Sequence, residues 1–115
     1  MPIAMHDDRS GAVAVIFLST RSGDDEAGYA EAAAAMDALA ADQPGYLGAD
    51  NARGSDGLGI TVSYWADEAA AIAWREHSDH AAIRDRGRAV WYADYRVDVA
   101  RVTRSYAWAR QGSST

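Results

Sequence analysis

The 115-residue chain contains no cysteine and no lysine. Without cysteine there is no disulfide, no thiol nucleophile and no thiolate-held zinc or iron–sulfur centre. Without lysine, Schiff-base mechanisms and the usual lysine anchor for pyridoxal phosphate are excluded. Every fixed positive charge is an arginine, a planar fork of donors that stays protonated. No glycine loop has the pattern that cradles a phosphate. No apolar run approaches the roughly 18 residues that a membrane span needs. The start, MPIAMHDDRSG, is polar and acidic, with neither the basic flank nor the apolar stretch of a signal peptide, so a soluble cytoplasmic protein is expected.

The formal net charge is −6, and it is uneven: most of the excess acid lies before residue 58, whereas arginine is concentrated after it. Such a balance lacks the basic footprint of a nucleic-acid binder. The length suits one domain with a core of its own. We assign residues 12–108 to it, between a flexible N-terminus (1–11) and a flexible tail (109–115).

AVAVIFLSTR (12–21) is a continuous apolar run with β-branched members and reads as a strand covered on both faces. From Asp25 to Ala41 the period becomes helical, with Tyr29, Ala32, Ala33, Met36, Leu39 and Ala40 on one stripe. Acidic residues 24–26 stand where a helix start favours negative charge. QPG ends this helix. YLGADNAR (46–53) and LGITVSYW (58–65) flank the turn signal GSDG and form a hairpin. A second helix starts after Asp67, a candidate N-cap, breaks near Ser78, and runs to about Val90. YRVDVARVTRSYAW (95–108) alternates as a strand whose phase slips between Val99 and Val102, which a bulge near Ala100–Arg101 would repair. The order β-α-β-β-α-β is the α+β ferredoxin-like pattern, an antiparallel sheet with helices on one face. The other face needs cover. Two copies packed sheet against sheet would supply it, so a homodimer is expected.

Residues 44–97, PGYLGADNARGSDGLGITVSYWADEAAAIAWREHSDHAAIRDRGRAVWYADYRV, together with the strand VIFLSTR, resemble the antibiotic biosynthesis monooxygenase superfamily of dimeric α/β barrels. GITVSYW followed by an alanine-rich helix bearing Trp74 is the more specific part. The resemblance implies a small dimer with a pocket between sheet and helices in each protomer. Some relatives oxygenate polycyclic phenols or anthrones without metal or flavin, and others degrade haem; in both a helix tryptophan functions, and Trp74 matches its position. Two departures stand out. Relatives often carry an asparagine on the first strand, where this chain has Phe17, Leu18, Ser19 and Thr20. Haem-degrading relatives hold iron with a histidine where this chain has Arg84, which speaks against haem degradation.

The stretch AWREHSDHAAIRDRGRAVWY (73–92) carries the candidate chemistry. On a continuous helix Ala69, Ala70, Ile72, Ala73, Trp74, His77, His80 and Ile83 share one broad arc. Both histidines then point toward the buried side. One reading makes them core-edge groups with backbone or tyrosine partners. The other makes one of them a general base for a phenolic or enolic proton, with His80 preferred for its place nearer the arc's centre. The H-x-x-H spacing also fits two metal ligands, but no third or fourth ligand is visible, so no metal is assigned. Arg84 and Arg88 fit either anion stabilisation or ion pairing with the chain's own carboxylates. Tyr46, Tyr64, Trp65, Trp91 and Tyr92 are candidate pocket aromatics, of which only one of Tyr64 and Trp65 can face the helices.

The resemblance and these residues together suggest a cofactor-independent monooxygenase of a small aromatic or polyketide-like substrate. His80 (or His77) would be the base, Trp74 would shape the pocket, and Arg84 or Arg88 would stabilise the anion; no cofactor is assigned. A non-catalytic dimeric ligand-binding module and a cyclase or isomerase are the rival readings on the same fold.

Overall fold

The structure, a computed structural model, describes residues 8–110, apart from the side chain of Ser78. Most of the N-terminus and of the tail expected to be flexible, residues 1–7 and 111–115, lie outside the described residues.

The first strand, β1 (Val13–Arg21), is the apolar run read above. It hands over to α1 (Glu26–Ala41), whose N-cap Asp25 accepts a hydrogen bond from the Gly28 amide. Asp25 holds a left-handed backbone, φ 54 and ψ 54. Two bonds to its carboxylate offset that strain: the Gly28 amide, and the Trp91 indole Nε1–H at 3.2 Å.

Gly45 turns the chain out of α1 at φ +83, and a Cβ there would lie 2.6 Å from that of Ala70, so both backbone and space demand glycine. The hairpin β2 (Tyr46–Arg53) and β3 (Leu58–Trp65) follows. Asp67 then caps α2 (Glu68–Glu76) by accepting from the Ala70 amide at 2.8 Å. At His77 the backbone leaves helical space (ψ 131), and α3 (Ser78–Arg86) starts afresh. A single π turn, Gly87–Trp91, leads into β4 (Tyr92–Arg101).

The four strands form one antiparallel sheet in the order β2-β3-β1-β4, the ferredoxin-like arrangement. Register fixes what shares a face. On the helix side, cross-strand rows run Tyr46–Trp65–Val13–Arg101, Ala49–Ser63–Val15–Val99, Asn51–Thr61–Phe17–Val97 and Arg53–Gly59–Ser19–Tyr95. Val13, Trp65, Ala40 and Ala71 make the buried core there, with Val15, Tyr46, Ala70 and Trp74 packed against it. The opposite face carries Ala14, Ile16, Leu18, Leu58, Ile60, Val62 and Tyr64, with no element of the described chain laid over it.

Two expectations change. The last strand begins at Tyr92 and ends at Arg101, and the bulge expected near Ala100–Arg101 is absent; the register shift falls instead between Thr20 and Arg21. The phase slip between Val99 and Val102 marks where the strand ends. Val102 still exchanges backbone bonds with Gly11 and Ala12, which closes the ladder. The arc expected on one continuous helix is also interrupted. Ile72 stays 47% exposed, since α2 buries Ala71 and turns Ala70 and Trp74 inward, and the break at His77 then resets the helical phase for α3.

Candidate active site

The break between α2 and α3 builds the site. The Trp74 carbonyl, in the last turn of α2, accepts from the His77 amide at 3.1 Å and meets His80 Nδ1 at 3.0 Å. A carbonyl can only accept, so Nδ1 carries the proton, and in the neutral ring Nε2 is left with the lone pair. The imidazole stacks on the Trp74 indole, centroids 4.4 Å apart and planes at 12°. Trp74 in turn stacks on the fully buried Trp65 at 5.9 Å, and Tyr46 meets Trp65 edge-on at 5.5 Å. Trp65 donates its indole N–H to Ser63 Oγ. His80 thus ends a column of rings rooted in the core. Its pKa lies below the ordinary 6.5, first because burial disfavours the cation; the bond to the Trp74 carbonyl opposes this, and the Arg84 and His77 charges add to it.

His77 does different work. Its Nδ1 accepts from the Asp79 amide at 3.2 Å, so it is the N-cap of α3. Both Nδ1 atoms of the H-x-x-H pair are thereby engaged. Among the described residues, no group of three or more metal-capable side chains is gathered.

Arg84 reaches back from α3 to the Arg75 carbonyl at the end of α2 (3.3 Å), placing its charge beside His80. Its Nε is buried without a hydrogen-bond partner. Arg88 donates from Nε to the Tyr95 hydroxyl. Neither arginine forms an ion pair among the described residues, so the carboxylate pairing considered above does not hold them.

The predicted site residues therefore divide. Trp74, His77, His80, Arg84, Trp65 and Tyr46 stand together. Trp91 and Arg88 belong to a second aromatic cluster, where Trp91 meets Tyr29 at 6.0 Å and Tyr92 packs on Phe17 at 5.4 Å. Tyr64 lies on the opposite face of the sheet, under the Arg9 guanidinium at 4.0 Å. Trp65 is the member of that pair that faces the helices. Burial first, then the charges of Asp37 and Asp50, raises the Tyr46 phenol above its usual range, so it serves as a neutral wall.

Sequence reasoning missed the polar partners of the second cluster. Arg21 lies 3.4 Å over the Tyr29 ring, and Arg53 donates to the Tyr29 hydroxyl at 2.8 Å. Tyr29 and Tyr92 share a hydrogen bond; burial first, and then Tyr29, drives the Tyr92 phenol far above 10.0, against the pull of Arg53 and Arg21. Tyr29 was legible only as a stripe member of α1. Its hydroxyl was the signal, since an apolar stripe does not need one.

The family model described as antibiotic biosynthesis monooxygenase matches residues 12–86. An uncharacterized protein of Bacillus subtilis, YqjZ, is 53% identical over 91 residues, 79% of each chain. Among solved structures, a putative antibiotic biosynthesis monooxygenase from Nitrosomonas europaea superposes with a TM-score of 0.73 at 14% identity, covering 85% of this chain and 96% of that one. SnoaB of Streptomyces nogalater, a cofactor-independent oxygenase solved as a mutant, gives 0.69 at 18% identity, covering 92% and 100%. The two structures share the fold with this chain, and the family model together with the Bacillus relative decides membership: the chain belongs to the antibiotic biosynthesis monooxygenase family.

Proposed function

We propose that this chain is a cofactor-independent oxygenase of a small aromatic or polyketide-like substrate, working in the cytoplasm as a homodimer. One observation carries the reading: His80 is anchored through Nδ1 and stacked on Trp74, which leaves Nε2 as an oriented, unprotonated base. Nε2 removes a proton from an acidic carbon or phenol of the substrate. The resulting carbanion gives an electron to dioxygen, and the radical pair combines. In an anthrone, one oxygen atom becomes the new ring carbonyl; the other leaves as water with the two hydrogens of the methylene. Trp74 supplies a flat wall for the ring, and Arg84 places positive charge near the developing anion. The SnoaB likeness supports the class of reaction and says nothing of the substrate here.

The test is oxygen uptake with anthrone by chelator-treated protein, comparing wild type with His80→Ala and His77→Ala. Loss of a positioned base costs about 10²–10⁴-fold in rate, so His80→Ala should lose at least the lower figure. His77→Ala should keep turnover per folded molecule. Equal rates in wild type and folded His80→Ala would overturn the assignment. Binding of aromatics without any oxygen uptake would instead leave a ligand-binding module.

A further inference from the structure

The polar end of the helix face, away from His80, is not used by that chemistry. There Arg53, Gly59, Ser19 and Tyr95 form one row across all four strands. Gly59 has no side chain, and a Cβ on it would lie 2.7 Å from Arg53 Nη2, so the bare glycine is what lets the guanidinium lie flat on the sheet. Arg53 is pinned there by the Gly57 carbonyl (2.9 Å) and the Tyr29 hydroxyl (2.8 Å). These use two of the five N–H donors of a guanidinium. It has no carboxylate partner among the described residues. Ser19, the strand neighbour of Gly59 about 4.8 Å across the ladder, is 2% exposed, and its Oγ has no hydrogen-bond partner. A buried hydroxyl beside a cation with spare donors is short of an oxygen ligand. Beyond Ser19, Phe17 contacts both Tyr92 (5.4 Å) and Tyr95 (5.3 Å), a surface suited to an aromatic ring.

We propose that Arg53 and Ser19, with the Tyr29 and Tyr92 hydroxyls, form a carboxylate-binding site for an aromatic acid whose ring rests on Phe17, Tyr92 and Tyr95. The guanidinium offers the paired donors that a carboxylate takes up side by side, and Ser19 Oγ donates to the nearer oxygen. In a chain of net charge −6 the overall field repels anions, so any preference for one must come from a local site. The site lies at the far end of the sheet from His80, so the proposal goes beyond the oxygenase reading and gives the chain a second, anion-selective aromatic site.

The experiment is calorimetric titration with 2-naphthoate and with its neutral isostere 2-naphthamide. It reads binding without turnover, so failure here and failure of the oxygenase reading are separable. Wild type should bind naphthoate at least about tenfold more tightly than naphthamide. Arg53→Gln should erase that preference without changing the circular dichroism spectrum. Gly59→Ala should weaken it by lifting the guanidinium off the sheet, and should act even if Arg53→Gln fails to fold. His80→Ala should keep it. Equal affinities for the two probes in wild type, no measurable naphthoate binding, or a preference that survives in folded Arg53→Gln would overturn the proposal.

Discussion

His77 and His80 stand three positions apart, and the same residue type ends in two roles because one backbone break separates them. His77 spends its Nδ1 on the Asp79 amide; His80 sends its Nδ1 to the Trp74 carbonyl. The preference for His80 came from helix geometry alone. The role proposed for it rests instead on the ring stack and the fixed tautomer. The depressed pKa of His80 gives a signed prediction. Below pH 6.5 the unfolded chain takes up a proton that the folded imidazole resists, so stability should fall as pH drops from about 6.5 to the folded pKa and level off beneath it. Urea titrations across that window should show the slope in wild type and a smaller one in His80→Asn. The His80 ring protons should titrate below 6.5 by NMR. Trp65 is the other residue on which much depends. It is fully buried at the root of the column, so Trp65→Ala should cost about 3–5 kcal/mol by denaturant unfolding. That one of Tyr64 and Trp65 must face outward was legible from strand alternation; which one was not, because both are large aromatics.

Among the elements, caps and turns were the most legible signals. Asp67 caps α2, and the acidic run before α1 supplies Asp25. Replacing Asp67 by Ala removes an acceptor for the Ala70 amide and should cost about 0.5–2 kcal/mol in equilibrium unfolding. His77→Ala should cost a similar amount for α3 and leave the His80 titration in place. The break near Ser78 was expected from the sequence, but the arc was still drawn through it, and it also placed Ile72 inward, where α2 leaves it 47% exposed. Period arguments assume unbroken phase, and one non-helical residue rotates everything after it. The last strand was misplaced for a related reason. Alternation continued past Arg101, yet a strand persists only where a neighbour pairs with it, and β1 begins at Val13, opposite Arg101.

For the molecule as a whole, the unfinished surface is the open face of the sheet. Leu18, Leu58 and Ile60 are 39%, 47% and 39% exposed there and line shallow hollows beside Ala52 and Arg96. The buried core is slight by comparison: of the seven buried apolar residues among those described, four are alanines. A second copy laid on the open face would bury that surface and add to a thin core. Sedimentation equilibrium should therefore give a dimer, and Ile60→Glu should shift it toward monomer and make thermal stability depend on protein concentration. No helix among the described residues is long and apolar enough to cross a membrane. By itself the sequence determined the element order, the caps, the ferredoxin-like class and a broken helical stretch holding Trp74, His77 and His80, because periodicity, turn residues and capping side chains act over a few neighbouring positions. Only the tertiary structure decided that Trp65 rather than Tyr64 turns inward, that His80 rather than His77 keeps a lone pair on an anchored ring, and that Arg53 lies across Gly59 beside Ser19. Those outcomes depend on strand register and on where a helix breaks, and both are settled by contacts between residues far apart in the chain.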